Sequence, residues 1–235
     1  MIDYFDKQHW LASAQAKATQ RARLKMVTQW FRHVDIEASD RIFDVGATPE
    51  VERPDANCML TWFLEKTRNL TLYSPEDIAH LVDLFPGVHI RPPGKDVAAW
   101  PADDLEFDYV TSSAVIEHVG DAASQVAFIR EAGRVAKKGI FITTPNRWHP
   151  LELHTKLLFF HWLPKPIHRT ILRWLGRPDW ALEQNLNLLT KRELVRYAHL
   201  ALGDRFNISI AHVRFFGMKS NLLLIANRSP DATNA

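Results

Sequence analysis

The chain reads as an α/β protein: a mostly parallel sheet covered by helices on both faces and closed by an antiparallel hairpin. Short apolar runs, RIFDVG (41–46), NLTLYS (69–74), GVHIR (87–91), FDYVTSS (107–113) and GIFITTP (139–145), alternate with stretches patterned for helix at about 55–67, 75–85 and 122–136. Strands that alternate with helices run parallel, joined by right-handed crossovers. Two further runs, NISIAHVRFF (207–216) and NLLLIANR (221–228), follow one another with only a tight turn around Gly217 between them, so they pair antiparallel. A hydrophobic share of 46% and a charged share of 24% are those of a globular chain, and 235 residues suit one elaborated domain better than two.

Residues 1–38 form an N-terminal helical cap in this reading, because Leu24, Val27, Phe31 and Val34 recur at three- and four-residue intervals among Lys and Arg. The main domain spans 39–228. After Pro145 the strand–helix rhythm breaks for an insertion over 146–185, in which Pro150, Pro164, Pro166 and Pro178 punctuate short helices. This predicts a helical lid. Thr190 followed by Glu193 is a capping box that opens a helix running to about 202. The polar tail 229–235, SPDATNA, is expected to fray.

Composition excludes several classes. No run approaches the roughly 18 apolar residues of a membrane span, and the opening MIDYFDKQHW lacks the basic start and apolar stretch of a signal peptide, so a soluble cytoplasmic protein is expected. One cysteine, Cys58, rules out an internal disulfide or a Cys-rich zinc site. Lys plus Arg 29 against Asp plus Glu 27 leaves a net charge of +2, too little for a surface built throughout to hold nucleic acid. Glycine is scarce, 9 residues, which makes a glycine-rich phosphate loop hard to build.

Ligands of open parallel sheets bind beyond the carboxyl ends of the strands. The first strand ends Asp44-Val45-Gly46-Ala47-Thr48-Pro49-Glu50, where Gly46 lets the chain turn and approach a ligand closely. Asp96 follows the third strand, Ser112-Ser113 end the fourth and lead into Glu117-His118, and the fifth ends at Pro145 before Asn146 and Arg147.

Over 40–146, the segments FDYVTSSAVIEHV, FIREAGRVAKKG and GIFITTPN resemble, in order and spacing, the class I S-adenosylmethionine-dependent methyltransferases, in particular the small bacterial type 11 group. The resemblance implies a Rossmann-like, seven-stranded, mostly parallel sheet with the closing hairpin, and S-adenosyl-L-methionine as cofactor. It implies that Asp44, Gly46, Ala47 and Thr48 form the loop under the methionine part, that Asp96 sits beside the adenine amino group with Val97 on the adenine face, and that Ser112 lies near the methionine end. Two departures stand out. Thr48 and Glu50 replace the second and third glycines of the family's loop, which forces a different backbone path. The second strand ends Tyr73-Ser74-Pro75 rather than in the family's ribose-binding acid, leaving Glu76 or Asp77 as substitutes, or as favourable charges at a helix start.

Methyl transfer from a sulfonium requires alignment and a proton acceptor. His118 is the candidate base and Glu117 the residue that orients it; the plain alternative is that both tie a helix end to the sheet. Quinone-pathway relatives bind a metal through E-x-x-E-H, but Ala114 takes the first acid's place, so no metal is expected. Asn146, Arg147 and His149 are candidate acceptor contacts. From Leu153 to Pro178 there is no Asp or Glu, while five Lys or Arg and three His interleave with Phe159, Phe160, Trp162 and Trp174. In 167–175, Ile167, Ile171 and Leu175 share one face and His168, Arg169 and Arg173 lie elsewhere, the pattern either of a helix on an anionic membrane or of a lid over the acceptor pocket. Three readings follow. The first is methylation of a small-molecule acceptor, saccharide-like or lipid-linked; the second, a methyltransferase-fold scaffold without catalysis; the third, RNA methylation, with DNA disfavoured because Ser112-Ser113-Ala114 stands where amino-methylating DNA enzymes carry D/N-P-P-Y/F.

Overall fold

The structure, a computed structural model, describes residues 4–53, 55–94, 99–150, 159, 162–176, 181–182, 185–215 and 217–230. Asp96, Val97, most of 151–161 and the end of the tail lie outside the described residues. Along the chain run α1 (Tyr4–Phe31), β1 (Arg41–Val45), α2 (Cys58–Leu64), β2 (Asn69–Tyr73), α3 (Leu81–Leu84), β3 (Val88–Ile90), β4 (Phe107–Ser113), α4 (Ala122–Val135), β5 (Ala136–Pro145), α5 (Lys165–Trp174), α6 (Lys191–Leu202), β6 (Phe206–Phe215) and β7 (Met218–Arg228).

The strands form one sheet in the order β3-β2-β1-β4-β5-β7-β6. β1 to β5 run parallel, and β7 is antiparallel to both β5 and β6, as the closing hairpin requires. Central parallel strands are covered on both faces and read as continuous apolar runs, which is why Ile42, Phe43, Leu70 and Leu72 are all buried. One face is sealed by α4 and α6, through Phe128, Ile129, Leu194 and Tyr197 with Phe43 and Trp100. The other is sealed by α1, α2 and α3, through Met26, Val27, Trp30, Leu60, Phe63 and Leu81.

The long first helix joins this second layer. Its inward residues are Met26, Val27 and Trp30, whereas Leu24 is 46% exposed, so the buried stripe is rotated from the one expected. The Trp30 ring explains the rotation: it stacks on Phe141 at 4.9 Å and meets Phe63 and Tyr109 edge-on, burying more surface than Leu24 would offer.

Local chemistry sets the ends of the other helices. Asp121 accepts from the Ser124 amide to start α4. The capping box of Thr190 and Glu193 starts α6 as expected, with both reciprocal bonds present. The helix expected over 75–85 shrinks to the single turn of α3, because the Glu76 amide donates to Ser74 Oγ and the Ala79 amide to Asp77 Oδ1. Those side-chain oxygens satisfy amides that a helix would use, and so delay it. α2 likewise begins only after Asn57, whose backbone is left-handed at φ 52°.

Candidate functional site

The crevice lies where strand order reverses, between the carboxyl ends of β1 and β4. Register brings the expected residues to one edge: Asp44 pairs with Thr111, Val45 with Tyr73, and Ser113 with Thr143. Asp44, 8% exposed, accepts a 2.6 Å hydrogen bond from Thr111 Oγ1. Burial pushes its carboxyl up to about 6 against the opposing pull of the Thr111 bond and the Arg23 charge. Ser112 spends its hydroxyl on the Val45 carbonyl, 2.8 Å away, so it braces β1 from β4.

Gly46 leaves β1 at φ +96° and donates its amide to the Tyr73 carbonyl. A Cβ there would sit 2.2 Å from Val115 Cγ2, so only glycine lets β1 pass beneath the segment that follows β4. Beyond it, none of residues 47–53 has a positive φ. Side-chain hydrogen bonds hold this loop. Asn57 accepts from the Thr48 amide at 3.0 Å and donates to the Thr48 carbonyl at 2.7 Å. The Glu50 amide donates to Thr48 Oγ1, the Glu52 amide to Glu50 Oε1, and His80 Nε2 to the Pro49 carbonyl. Ala47 is buried against α2. At the end of β2, Ser74 is buried while Glu76 and Asp77 are exposed, and Asp77 is engaged in its own turn. The loop after β1 and the turn after β2 carry Glu50, Glu52, Glu76 and Asp77, while Arg23 lies close enough to Asp44 for its charge to act on that carboxyl.

The β4–β5 side is assembled differently. Ala114, in the left-handed region at φ 58°, turns the chain into a short 3₁₀ turn, Ile116–His118. Glu117 is fully buried and accepts from Thr144 Oγ1 of β5 at 3.0 Å, so it does tie this turn to the sheet. Its carbonyl receives the Asn187 amide at 2.7 Å, Asn187 Nδ2 donates to the Gly120 carbonyl, and Gln125 Nε2 bridges the carbonyls of Ile116 and Asn187. His118 is about one-third exposed; its Nδ1 lies 2.6 Å from the Asn185 carbonyl and its Nε2 4.0 Å from Glu117 Oε1. A carbonyl can only accept, so Nδ1 carries the proton and Nε2 is the basic nitrogen of the neutral ring.

The three residues expected to contact an acceptor follow β5 in the chain. Asn146 Nδ2 donates to the Lys219 carbonyl, Arg147 to the Leu163 carbonyl, and His149 is buried with its ring 6.2 Å from that of Phe215. Sequence reasoning missed Thr111, Asn57, Val115, Gln125 and Asn187. Asn57 precedes an apolar run and carried a visible signal as a helix cap, but its side chain grips the preceding loop instead. The described part of the insertion exposes Trp148, Phe159, Trp162, Ile167, Leu175 and Trp174, the last at 84%, while Leu172 is buried beneath α5. Among the described residues, no helix is long and apolar enough to cross a membrane, and no three His, Cys, Asp or Glu gather closely enough to hold a metal ion.

No protein-family model and no curated protein matches the sequence, so the type 11 assignment rests on its motifs alone. Solved structures do match in fold. A Burkholderia thailandensis 1,6-didemethyltoxoflavin-N1-methyltransferase, with 1,6-didemethyltoxoflavin and S-adenosylhomocysteine bound, is 13% identical, with 97% of this chain and 92% of that one covered at a TM-score of 0.57. A Haloferax volcanii chain in complex with the Trm112 methyltransferase activator is 11% identical, over 97% and 99%, at 0.57. The Synechocystis magnesium protoporphyrin IX methyltransferase, with S-adenosylhomocysteine bound, is 13% identical, over 97% and 89%, at 0.53. The fold is therefore that of the class I S-adenosylmethionine-dependent methyltransferases.

Proposed function

We propose that this chain transfers a methyl group from S-adenosylmethionine to a small-molecule acceptor, saccharide-like or lipid-linked, with His118 as the base. The observation that carries the reading is the β1 end at the β1–β4 reversal, where a buried acid and a glycine that tolerates no side chain adjoin Val115, in the segment that leads to His118, whose basic nitrogen is identified by its partner. The donor set suits the cofactor: carboxylates after β1 and β2 fit a ligand bearing sulfonium and ammonium charges. Asp44 and the Gly46–Thr48 backbone would hold the methionine end, Ser112 would support them through β1, Glu76 would reach the ribose, and Asp96 and Val97 the adenine. When bound, S-adenosylmethionine supplies a methyl carbon already activated for in-line displacement.

His118 then takes the acceptor's proton at Nε2, and Glu117 Oε1, 4.0 Å away, pairs with the imidazolium. Asn146, Arg147 and His149 shape the acceptor rim. Replacing His118 by Ala is expected to lower kcat by about 10²–10⁴-fold with cofactor affinity kept, and to remove an ionisation from the pH–rate profile. Unchanged rates would exclude His118 as base.

The exposed row of Trp148, Phe159, Trp162, Ile167 and Trp174, together with Arg169 and Arg173, supports a lid that rests on an anionic membrane and would bring a lipid-linked acceptor within reach. Co-sedimentation with phosphatidylglycerol vesicles at low salt tests this, and failure to bind removes it. A scaffold function is favoured by one feature: the amides of Gly46, Thr48 and Glu50 are all committed to protein acceptors. Calorimetry with S-adenosylmethionine decides between the two, since absence of binding leaves only the scaffold. The Haloferax complex also makes a protein activator a partner to test.

A further inference from the structure

Away from the crevice, an open groove of about 730 Å³ runs between the second half of α1 and β6. Leu24, Ile210, Ala211 and Val213 give it an apolar floor, and Lys25, Arg32 and Arg214 rim it; no Asp or Glu lines it among the described residues. In a chain with Lys plus Arg 29 against Asp plus Glu 27, this is a local concentration of positive charge. The positive field extends beyond the rim: burial, together with the charges of Lys219, Arg214 and Lys191, lowers the His212 imidazole from its ordinary value.

β6 is the last strand of the sheet and has β7 on one side only. Half of its backbone donors and acceptors therefore face away from the sheet. One of its carbonyls, that of His212, is already met by Gln29 of α1 at 3.0 Å. The ladder is regular from Phe206 to Val213 and shifts register at Val213–Arg214, which leaves eight residues of even strand before the irregularity.

We propose that this groove docks an acidic segment of a partner protein in extended conformation, laid beside β6 as an eighth strand. The unpaired backbone supplies hydrogen bonds, the apolar floor receives every second side chain, and the cations meet the acidic ones between them. A phosphate backbone would use the cations but not the floor. Among the described residues no Phe, Tyr or Trp lines the groove, and His212 is its one ring, which sets it apart from the aromatic platforms that hold single-stranded RNA.

The test is an anisotropy titration of the full-length protein at low salt, with a labelled peptide of about ten residues that alternates Glu and Val. Binding should weaken about tenfold or more in three cases: with Lys in place of Glu, with alternate peptide amides N-methylated, and with the Lys25→Glu/Arg214→Glu variant. That variant should keep the wild-type circular dichroism spectrum and melting temperature, which shows that it folds. If the acidic peptide does not bind, the cations merely guard the edge and the proposal fails. Equal binding of the N-methylated peptide shows attraction without strand pairing and also overturns it. Tighter binding of oligouridylate assigns the groove to nucleic acid instead.

Discussion

On the β1 side of the crevice the loop backbone is held by its own Thr48 Oγ1 and Glu50 Oε1 and, from outside, by Asn57 and His80. On the β4 side it is held from within, by the buried Glu117 carboxylate, Thr144, Gln125 and Asn187. The first arrangement is acidic and partly exposed; the second is enclosed and leads into a basic, aromatic insertion. The difference shows that a turn can be fixed in two separable ways, conformational and steric: side-chain hydrogen bonds do the first over 48–52, and glycine does the second at Gly46, where Val115 lies too close for any Cβ.

The largest effect expected from attacking this contrast is at that contact. Gly46→Ala combines a disfavoured φ with a steric clash and should cost roughly 4 kcal/mol of unfolding free energy in a denaturant titration. Adding Val115→Ala should recover about half, since it relieves the clash and not the backbone strain. A fully tolerated Gly46→Ala would mean that the β1 side is looser than described.

Asp44 gives the next effect, with a pH signature. Its carboxyl moves from 3.8 to about 6 on folding, so between those values the folded state holds a proton that the unfolded state has released. Stability therefore falls as pH rises through that window and stays at the lower level above it. Asp44→Asn removes the ionisation and should raise stability at neutral pH by up to about 3 kcal/mol, with little gain near pH 4. Under the proposed function the same variant weakens S-adenosylmethionine binding, and wild-type affinity drops below pH 6; calorimetry at two pH values measures both.

Asn57 separates clamp from conformation. Asn57→Ala loses two hydrogen bonds and places a Cβ residue at φ 52°, for a loss of about 2 kcal/mol, while Asn57→Gly loses the bonds alone and should cost about half as much. Both should loosen the Thr48 loop in hydrogen exchange. The smallest effect is at the rim of the other side: Thr190→Ala removes the capping box of α6 and should cost about 1 kcal/mol, with no change in cofactor binding.

Much of this architecture can be read from the sequence, for reasons the residues make plain. Strands such as RIFDV and FDYVTSS are buried on both faces, and the closing hairpin needs only a short turn, so local pattern and tertiary environment agree. The 75–85 helix and the phase of α1 were misread where long-range or side-chain effects override periodicity: Ser74 and Asp77 capture amides, and Trp30 seeks Phe141. At the candidate site, Asp44 and Gly46 stand out in the sequence because they lie at the end of β1, and His118 because it closes the turn that follows β4. Thr111 and Val115 are not, because a partner across the sheet depends on register, which no local pattern encodes.

The stack of Trp30 on Phe141 has a further consequence, for the order in which the protein is made. The first helix leaves the ribosome with its largest apolar ring lacking its stacking partner, and that partner is translated some 110 residues later. At about 5–20 residues per second, the wait is on the order of ten seconds. Phe63 and Tyr109 emerge sooner and can each cover one edge of the indole, but its stacked face waits for Phe141, so chaperone dependence during synthesis, rather than final stability, is where a weakened first helix would tell.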